Sequence, residues 1–316
     1  MPTNNAVSME RRLDRLAQAL RATALAPRRD GNSLVVRNGD MITHVSVTAP
    51  PDREPDSDPV AAILTIRTRL PDRMMALILA PEIINAMNRH AVLGAMVQDN
   101  GAYFVGSRLT IHEDQSVWDL YEGFILQSVV ASLDGILKAH GPAAAPGPEP
   151  SAWSRADFVA TADIISMFCR ANENWPRLTA RFALKNRGAG MAPGENHTAL
   201  WTIDANEPHP VMGGGLMCRL QLPHAIPDLG RRLEVMNSLN RMEMQPHDLP
   251  PFFGAWCAGQ QGDNLAHIMF LPNVFARRPG IATNLSIWAY TRAQWADATL
   301  TAMGIQAPRN PHAAPP

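Results

Sequence analysis

The chain has 316 residues, of which 46% are apolar and 18% charged, a balance typical of globular domains that bury a core. Twenty-eight basic and 29 acidic residues give a net charge of −1, which argues against a general nucleic-acid binder and a polybasic membrane anchor. Three scattered cysteines are too few for a disulfide framework, and no apolar run approaches the roughly 20 residues that span a bilayer. We therefore expect a cytoplasmic protein with two domains.

The first half of the chain predicts the element order α-β-β-β-α-β-β-α. Leucines and alanines at helical spacing predict the first helix, and Pro81 fits the first turn of the middle helix. Asn38-Gly39 and Asp99-Asn100-Gly101 are strong hairpin signals between segments that favour strands. The predicted helices cover 9–25, 81–90 and 116–139, and the predicted strands cover 33–37, 41–48, 61–70, 91–97 and 103–111.

The second half predicts the same order of elements. Its first helix is expected to turn Phe158, Ile164, Ile165 and Phe168 inward. The last hairpin turns at Gly262-Asp263-Asn264. The predicted helices cover 154–171, 228–242 and 284–303, and the predicted strands cover 178–185, 198–204, 216–222, 252–259 and 265–271.

An internal repeat relates the two halves. Residues 64–89 align without a gap on residues 216–241, and nine of the 26 positions are identical. Between the halves, residues 141–150 read GPAAAPGPEP, a composition that favours a linker over a helix or a central strand. We therefore predict an α+β fold of two repeated domains, each an antiparallel sheet packed against helices. Their expected limits are 1–140 and 151–306, followed by a disordered tail at 307–316.

This element order, with an Asn-x-x-Asn pair ending the middle helix before a hairpin, resembles the YbjN-like group of proteins. The local match is carried by residues 84–111 in the first half and by residues 233–241 and 252–271 in the second. The resemblance implies the fold of type III secretion chaperones, and with it a protein-binding role. Because the domain is present twice, it also implies an intramolecular pseudo-dimer, with a homodimer as the alternative.

The repeated polar residues are the candidate partner contacts. Asn85 and Asn88 share one helix face, as do Asn237 and Asn240. The alternative interpretation is structural: each second asparagine ends its helix in a left-handed cap, and each first one bonds the loop backbone.

Arg67 and Arg219 are also candidate partner contacts, since they occupy one strand position in both repeats and a guanidinium binds carboxylates in bidentate fashion. The alternative is that each arginine pairs with a nearby acid of its own domain, such as Glu82 or Glu234.

No catalytic or metal-binding motif is present in the sequence. Cys-x-x-Cys, His-Glu-x-x-His and Gly-x-Ser-x-Gly are missing, and Gly213-Gly214-Gly215 lacks the lysine of a phosphate loop. The nearest approaches to a metal-ligand set are Glu207-x-His209 and His112-Glu113-Asp114, and both are expected in solvated loops or turns. We therefore predict no metal, no cofactor and no catalytic residue.

Three hypotheses for the function follow. The first is a non-enzymatic, chaperone-like or regulatory module that binds another protein in an apolar groove or at an open sheet edge. The second is an enzyme or small-molecule sensor with its site between the domains, around Cys218, Arg219 and His224. The third is a structural subunit of an assembly.

Overall fold

In the computed structural model, the chain divides into two compact units, each with its own six-stranded antiparallel sheet. The first unit comprises residues 1–87, 91–143 and 240–254, and the second comprises residues 88–90, 144–239 and 255–316. The structure describes residues 4–22, 26–38, 40–48, 60–71, 80–92, 94–112, 150–185, 197–209, 213–245, 250–259, 262–273 and 281–305.

The first unit has the strand order β1-β2-β3-β4-β6-β5. One face of its sheet is covered by helix α1, whose leucines Leu13, Leu16 and Leu20 are buried. The elements of the first half are α1 (Asn4–Ala22), β1 (Arg28–Asp30), β2 (Ser33–Asn38), β3 (Met41–Thr48), β4 (Val60–Arg69), α2 (Pro81–Asn88), β5 (Ala95–Asp99) and β6 (Ala102–His112).

The second unit has the strand order β11-β12-β10-β9-β8-β7, so its strands repeat those of the first unit in the same relative positions. Helices α3 and α5 cover one face, where Trp201 donates a hydrogen bond from Nε1 to Ser286 Oγ at 3.3 Å. The elements of the second half are α3 (Arg155–Ile165), β7 (Arg170–Asn174), β8 (Arg177–Ala183), β9 (Thr198–Asp204), β10 (Gly215–Ala225), α4 (Leu229–Glu243), β11 (Ala255–Ala258), β12 (Asn264–Pro272) and α5 (Ile281–Ala302).

The predicted α+β fold with two repeated sheets packed against helices is confirmed, with one strand more in each half than predicted. The additional strands, β1 and β7, are short and polar, and they pair at the sheet edge. Hydrophobic periodicity does not reveal them because they bury no apolar side chain. The Asp30-Gly31 dipeptide before β2, with Gly31 at φ 55°, was the available turn signal.

Helix α3 is shorter than predicted. It begins after Ser154, which forms a capping box with Asp157, and it ends at Ile165 rather than residue 171. Its inward residues include Phe158 and Ile165, as expected, but Ile164 is 41% exposed and Phe168 is 45% exposed. The prediction that these two residues turn inward was wrong.

The hairpin turns are placed where the dipeptides predict them. Asn100 and Gly101 have φ of 50° and 77°, and they connect Asp99 to its register partner Ala102. Two consecutive positive φ angles are the signature of the turn that matches the twist of a two-residue hairpin. The predicted helix 116–139, the predicted linker 141–150 except for Pro150, and the predicted tail 307–316 lie outside the described residues, so the predicted domain limits stay predictions.

Candidate functional site: the outer edge and open face of the second sheet

The six residues predicted as partner contacts fall into two structurally different groups. The arginines lie on β4 and β10, on the sheet faces opposite those against which α1 and α5 pack, and the asparagines lie on the middle helices α2 and α4. The exposed fractions of Asn85, Asn88 and Asn240 are 7%, 1% and 0%, and Asn237 is half-buried. This burial favours the structural interpretation of the asparagines over a role as partner contacts.

The asparagines do not form the left-handed caps of that interpretation. Asn88 is the last residue of α2, but α4 continues past Asn240 to Glu243. Among the described residues other than glycine, only Asn100 has a positive φ. Neither asparagine therefore adopts the left-handed conformation expected of it.

Arg67 and Arg219 each form an ion pair within the chain. Arg67 lies 3.0 Å from Asp99 and stacks over the ring of Phe104 at 4.2 Å, and Arg219 pairs with Glu207. The acids differ from the predicted Glu82 and Glu234. The arginine therefore recurs in both repeats, while the position of its acidic partner does not.

Cys218, Arg219 and His224, the residues named for an enzyme or small-molecule sensor, do not converge on one site. Cys218 and Arg219 are consecutive residues of β10, so their side chains lie on opposite faces of the sheet. Burial raises the pKa of the Cys218 thiol far above its usual value, which keeps it protonated and a poor nucleophile. His224 lies six residues further on, roughly 20 Å along an extended strand.

His224 instead forms a buried pair with Asp297 of α5, in which Nε2 and Oδ1 are 3.3 Å apart. It lies within an irregularity in the pairing of β10 with β12, between Gln221 and Ala225. The side chains of His224 and Asp297 are 1% and 3% exposed. A substrate would have to displace helix α5 to reach them, so the pair has the burial of a structural contact.

No group of three potential metal ligands occurs among the described residues. In the Glu207-x-His209 segment, Glu207 binds Arg219, and His209 Nε2 lies 3.0 Å from the carbonyl oxygen of His90. These interactions direct the two side chains to different partners.

Four apolar side chains of the second unit are exposed on α3 and on the short connection from α3 to β7, and we call these residues the apolar strip. Its exposed fractions range from 40% to 80%: Val159 at 41%, Ile164 at 41%, Met167 at 79% and Phe168 at 45%. The sequence signal was available, because Val159 and Ile164 lie about 100° or more around the helix from Phe158 and Ile165 and cannot share their buried face.

The apolar strip leads directly into β7, which is the outermost strand of its sheet. Strand β7 pairs on one side with β8 and has no strand on its other side among the described residues. Helix α3 packs on β7 and β8, so the strip and the free edge belong to one region. A strand edge offers a row of backbone N–H and C=O groups to an extended peptide.

Comparison of the chain with protein-family models, with curated proteins and with solved structures finds no match. The likeness to the YbjN-like group consequently rests on the quoted residues and on the element order alone. No helix in the described part of the chain has the length and apolar character needed to cross a membrane.

Proposed function

We propose that this protein is a non-enzymatic, chaperone-like module of the cytoplasm that binds a partner protein. The partner contributes an extended segment that pairs with the free edge of β7. Pairing supplies backbone hydrogen bonds, and the neighbouring apolar strip supplies contacts for alternate side chains. This proposal depends on one observation, the free edge of β7 beside exposed Met167 and Phe168.

The size of the exposed groups supports the proposal. Met167 exposes 79% of its surface, and large apolar side chains that a partner removes from water each contribute about 1.5–3 kcal/mol when fully buried. Methionine is also unbranched and adaptable, which suits a surface that accommodates different side chains. Single exposed apolar residues are ordinary on proteins, but here four occur between residues 159 and 168, just before the edge strand β7.

The test is a binding measurement on the doubly substituted chain Met167→Glu/Phe168→Glu. The tagged wild-type protein is expected to retain a protein partner from its native extract, and the variant to lose at least nine-tenths of it. The matched control is Leu229→Glu, which changes an apolar residue of α4 that is 48% exposed in the same unit. Equal partner retention by wild type and the double variant would contradict the proposal.

A further inference from the structure

The open face beside β7 carries an unusual pair of cations. Resting on the proposed function, we infer that the segment bound at β7 is acidic, with a carboxylate side chain directly opposite Arg170. The recognising groups are Arg170 of β7 and Arg181 of β8, which we call the arginine pair. The inference specifies the chemistry of the partner: an extended protein segment in which acidic side chains alternate with apolar ones.

The register places the two guanidinium groups side by side. Arg170 and Arg181 are direct cross-strand partners, so their Cβ atoms lie about 5 Å apart on one face of the sheet. Both residues are exposed. Among the described residues, neither guanidinium has a hydrogen-bond or ion-pair partner. Like charges in this arrangement destabilise a sheet, so the pair is costly until a negative charge reaches it.

The acids of the same face are already engaged with other arginines. Asp204 is 2.7 Å from Arg177, and Glu207 pairs with Arg219. On the described strands of this face, the arginine pair is therefore left as uncompensated positive charge. The arginine pair lies on the face that α5 does not cover. Ala180, next to Arg181, shares its face with Trp201, and Trp201 bonds Ser286 of α5. Arg181 therefore points to the opposite face.

A strand added to β7 would place one further residue beside Arg170, in line with the cross-strand pair of Arg170 and Arg181. Cross-strand partners share a face, so the added residue opposite Arg170 would lie beside the arginine pair. The residues before and after it would point to the other face, on which α3 packs against β7 and β8 through apolar side chains such as Phe158 and Ile165. The two faces together thus select an alternating acidic and apolar pattern. A charged edge also discourages pairing with apolar strands that lack the acid.

The first unit offers a built-in comparison. Arg37 of β2 occupies the position equivalent to Arg181 of β8. Arg37 is the cross-strand partner of Ile42, which in turn pairs with Arg69. In the second unit, Arg181 is the partner of Leu200, which pairs with Gln221. The pairing of β1 covers only residues 33–35 of β2, so no arginine lies opposite Arg37. The arginine pair is consequently a property of the second sheet and not of the repeat.

The experiment measures binding of two fluorescent octapeptides to the full chain by polarisation. One peptide alternates glutamate with valine, and the other has glutamine in place of glutamate. Wild type is expected to bind the glutamate peptide at least ten times more tightly at low salt, and this ratio should shrink as salt is added. The variant Arg170→Gln/Arg181→Gln should bind both peptides alike, while the control Arg37→Gln keeps the preference.

The outcomes separate the two proposals. If wild type binds both peptides equally well, strand pairing stands and the acidic preference is wrong. A double variant that still prefers the glutamate peptide would likewise overturn the inference. If wild type binds neither peptide at millimolar concentration, the proposed strand pairing at β7 is itself overturned. Thermal unfolding of both variants alongside wild type establishes that they are folded.

Discussion

At the scale of single residues, the repeated arginines show what recurrence in a sequence does and does not reveal. The repeat alone predicted that Arg67 and Arg219 occupy the same strand position in the two halves, and in the structure they lie at equivalent positions on equivalent strands. Their partners, Asp99 and Glu207, come from different segments, so the sequence offered no register from which to choose them. The arginine pair was missed altogether because β7 itself was missed.

Replacing one arginine of the pair with an acidic residue should stabilise the protein in the absence of a partner. In Arg170→Glu, a favourable cross-strand ion pair with Arg181 replaces a repulsive one. We expect the free energy of unfolding to rise by about 0.5 kcal/mol, measured by urea denaturation. Arg181→Glu should act in the same way, and the double exchange should restore the repulsion. A loss of stability in both single variants would show that the guanidinium groups do not repel each other.

A pH dependence is expected from His209, whose side chain is 3% exposed. Burial lowers its pKa below 6.5, opposed by its interaction with the backbone oxygen of His90 and reinforced by the charge of His90. As the pH falls below 6.5, the unfolded state therefore takes up this proton first, and the free energy of unfolding decreases.

This dependence can be measured by urea denaturation at a series of pH values from about 7.5 to about 5.5. In His209→Gln, the free energy of unfolding should decrease less on acidification than it does in wild type. The matched control is His44→Gln, which changes an exposed histidine of β3 in the first unit. Equal slopes for wild type and His209→Gln would contradict the assignment.

At the scale of the elements, the sequence predicted the apolar strands and hairpins well and the polar edges poorly. Strand β3 was predicted at its observed limits, since its residues alternate between buried and exposed. Strand β7 follows the end of α3 after four residues, and its pattern Arg-Ala-Asn-Glu-Asn has no apolar period. The four apolar residues in segment 164–168 suggested a longer helix, whereas the helix ends at Ile165 and the chain exposes Ile164, Met167 and Phe168.

At the scale of the whole molecule, the first unit contains a segment from the second half of the chain. Residues 240–254 belong to it, and Arg108 of β6 is fully buried against them. Its Nε donates to the carbonyl oxygen of Glu243 and its Nη2 to that of Pro250, both at 2.8 Å. The backbone of Phe252 pairs with that of Arg108 as an isolated bridge.

A fragment ending at residue 140 should therefore not fold cooperatively. It would retain Arg108 but lose the carbonyl groups that satisfy it, and an uncompensated buried charge costs about 3–5 kcal/mol. Circular dichroism of the fragment during urea unfolding is expected to show no cooperative transition. In the full chain, Arg108→Met should lower the free energy of unfolding by about 2–4 kcal/mol, because buried carbonyls lose their donor. A fragment that unfolds with the wild-type midpoint would contradict this account.

The sequence by itself determined the fold class, the repeat, most strands and the turns, because these depend on local periodicity and on residues such as Asn100-Gly101 that suit one backbone conformation. Tertiary structure alone decided which half completes which unit, which acid pairs with each arginine and which side of α3 remains exposed. Those outcomes depend on contacts between residues far apart in the chain, such as Arg108 with Pro250. A sequence pattern reveals the period of a helix or strand but not which element packs beside it. The proposed binding edge at β7 depends on such a relation, because no described strand pairs with its outer side.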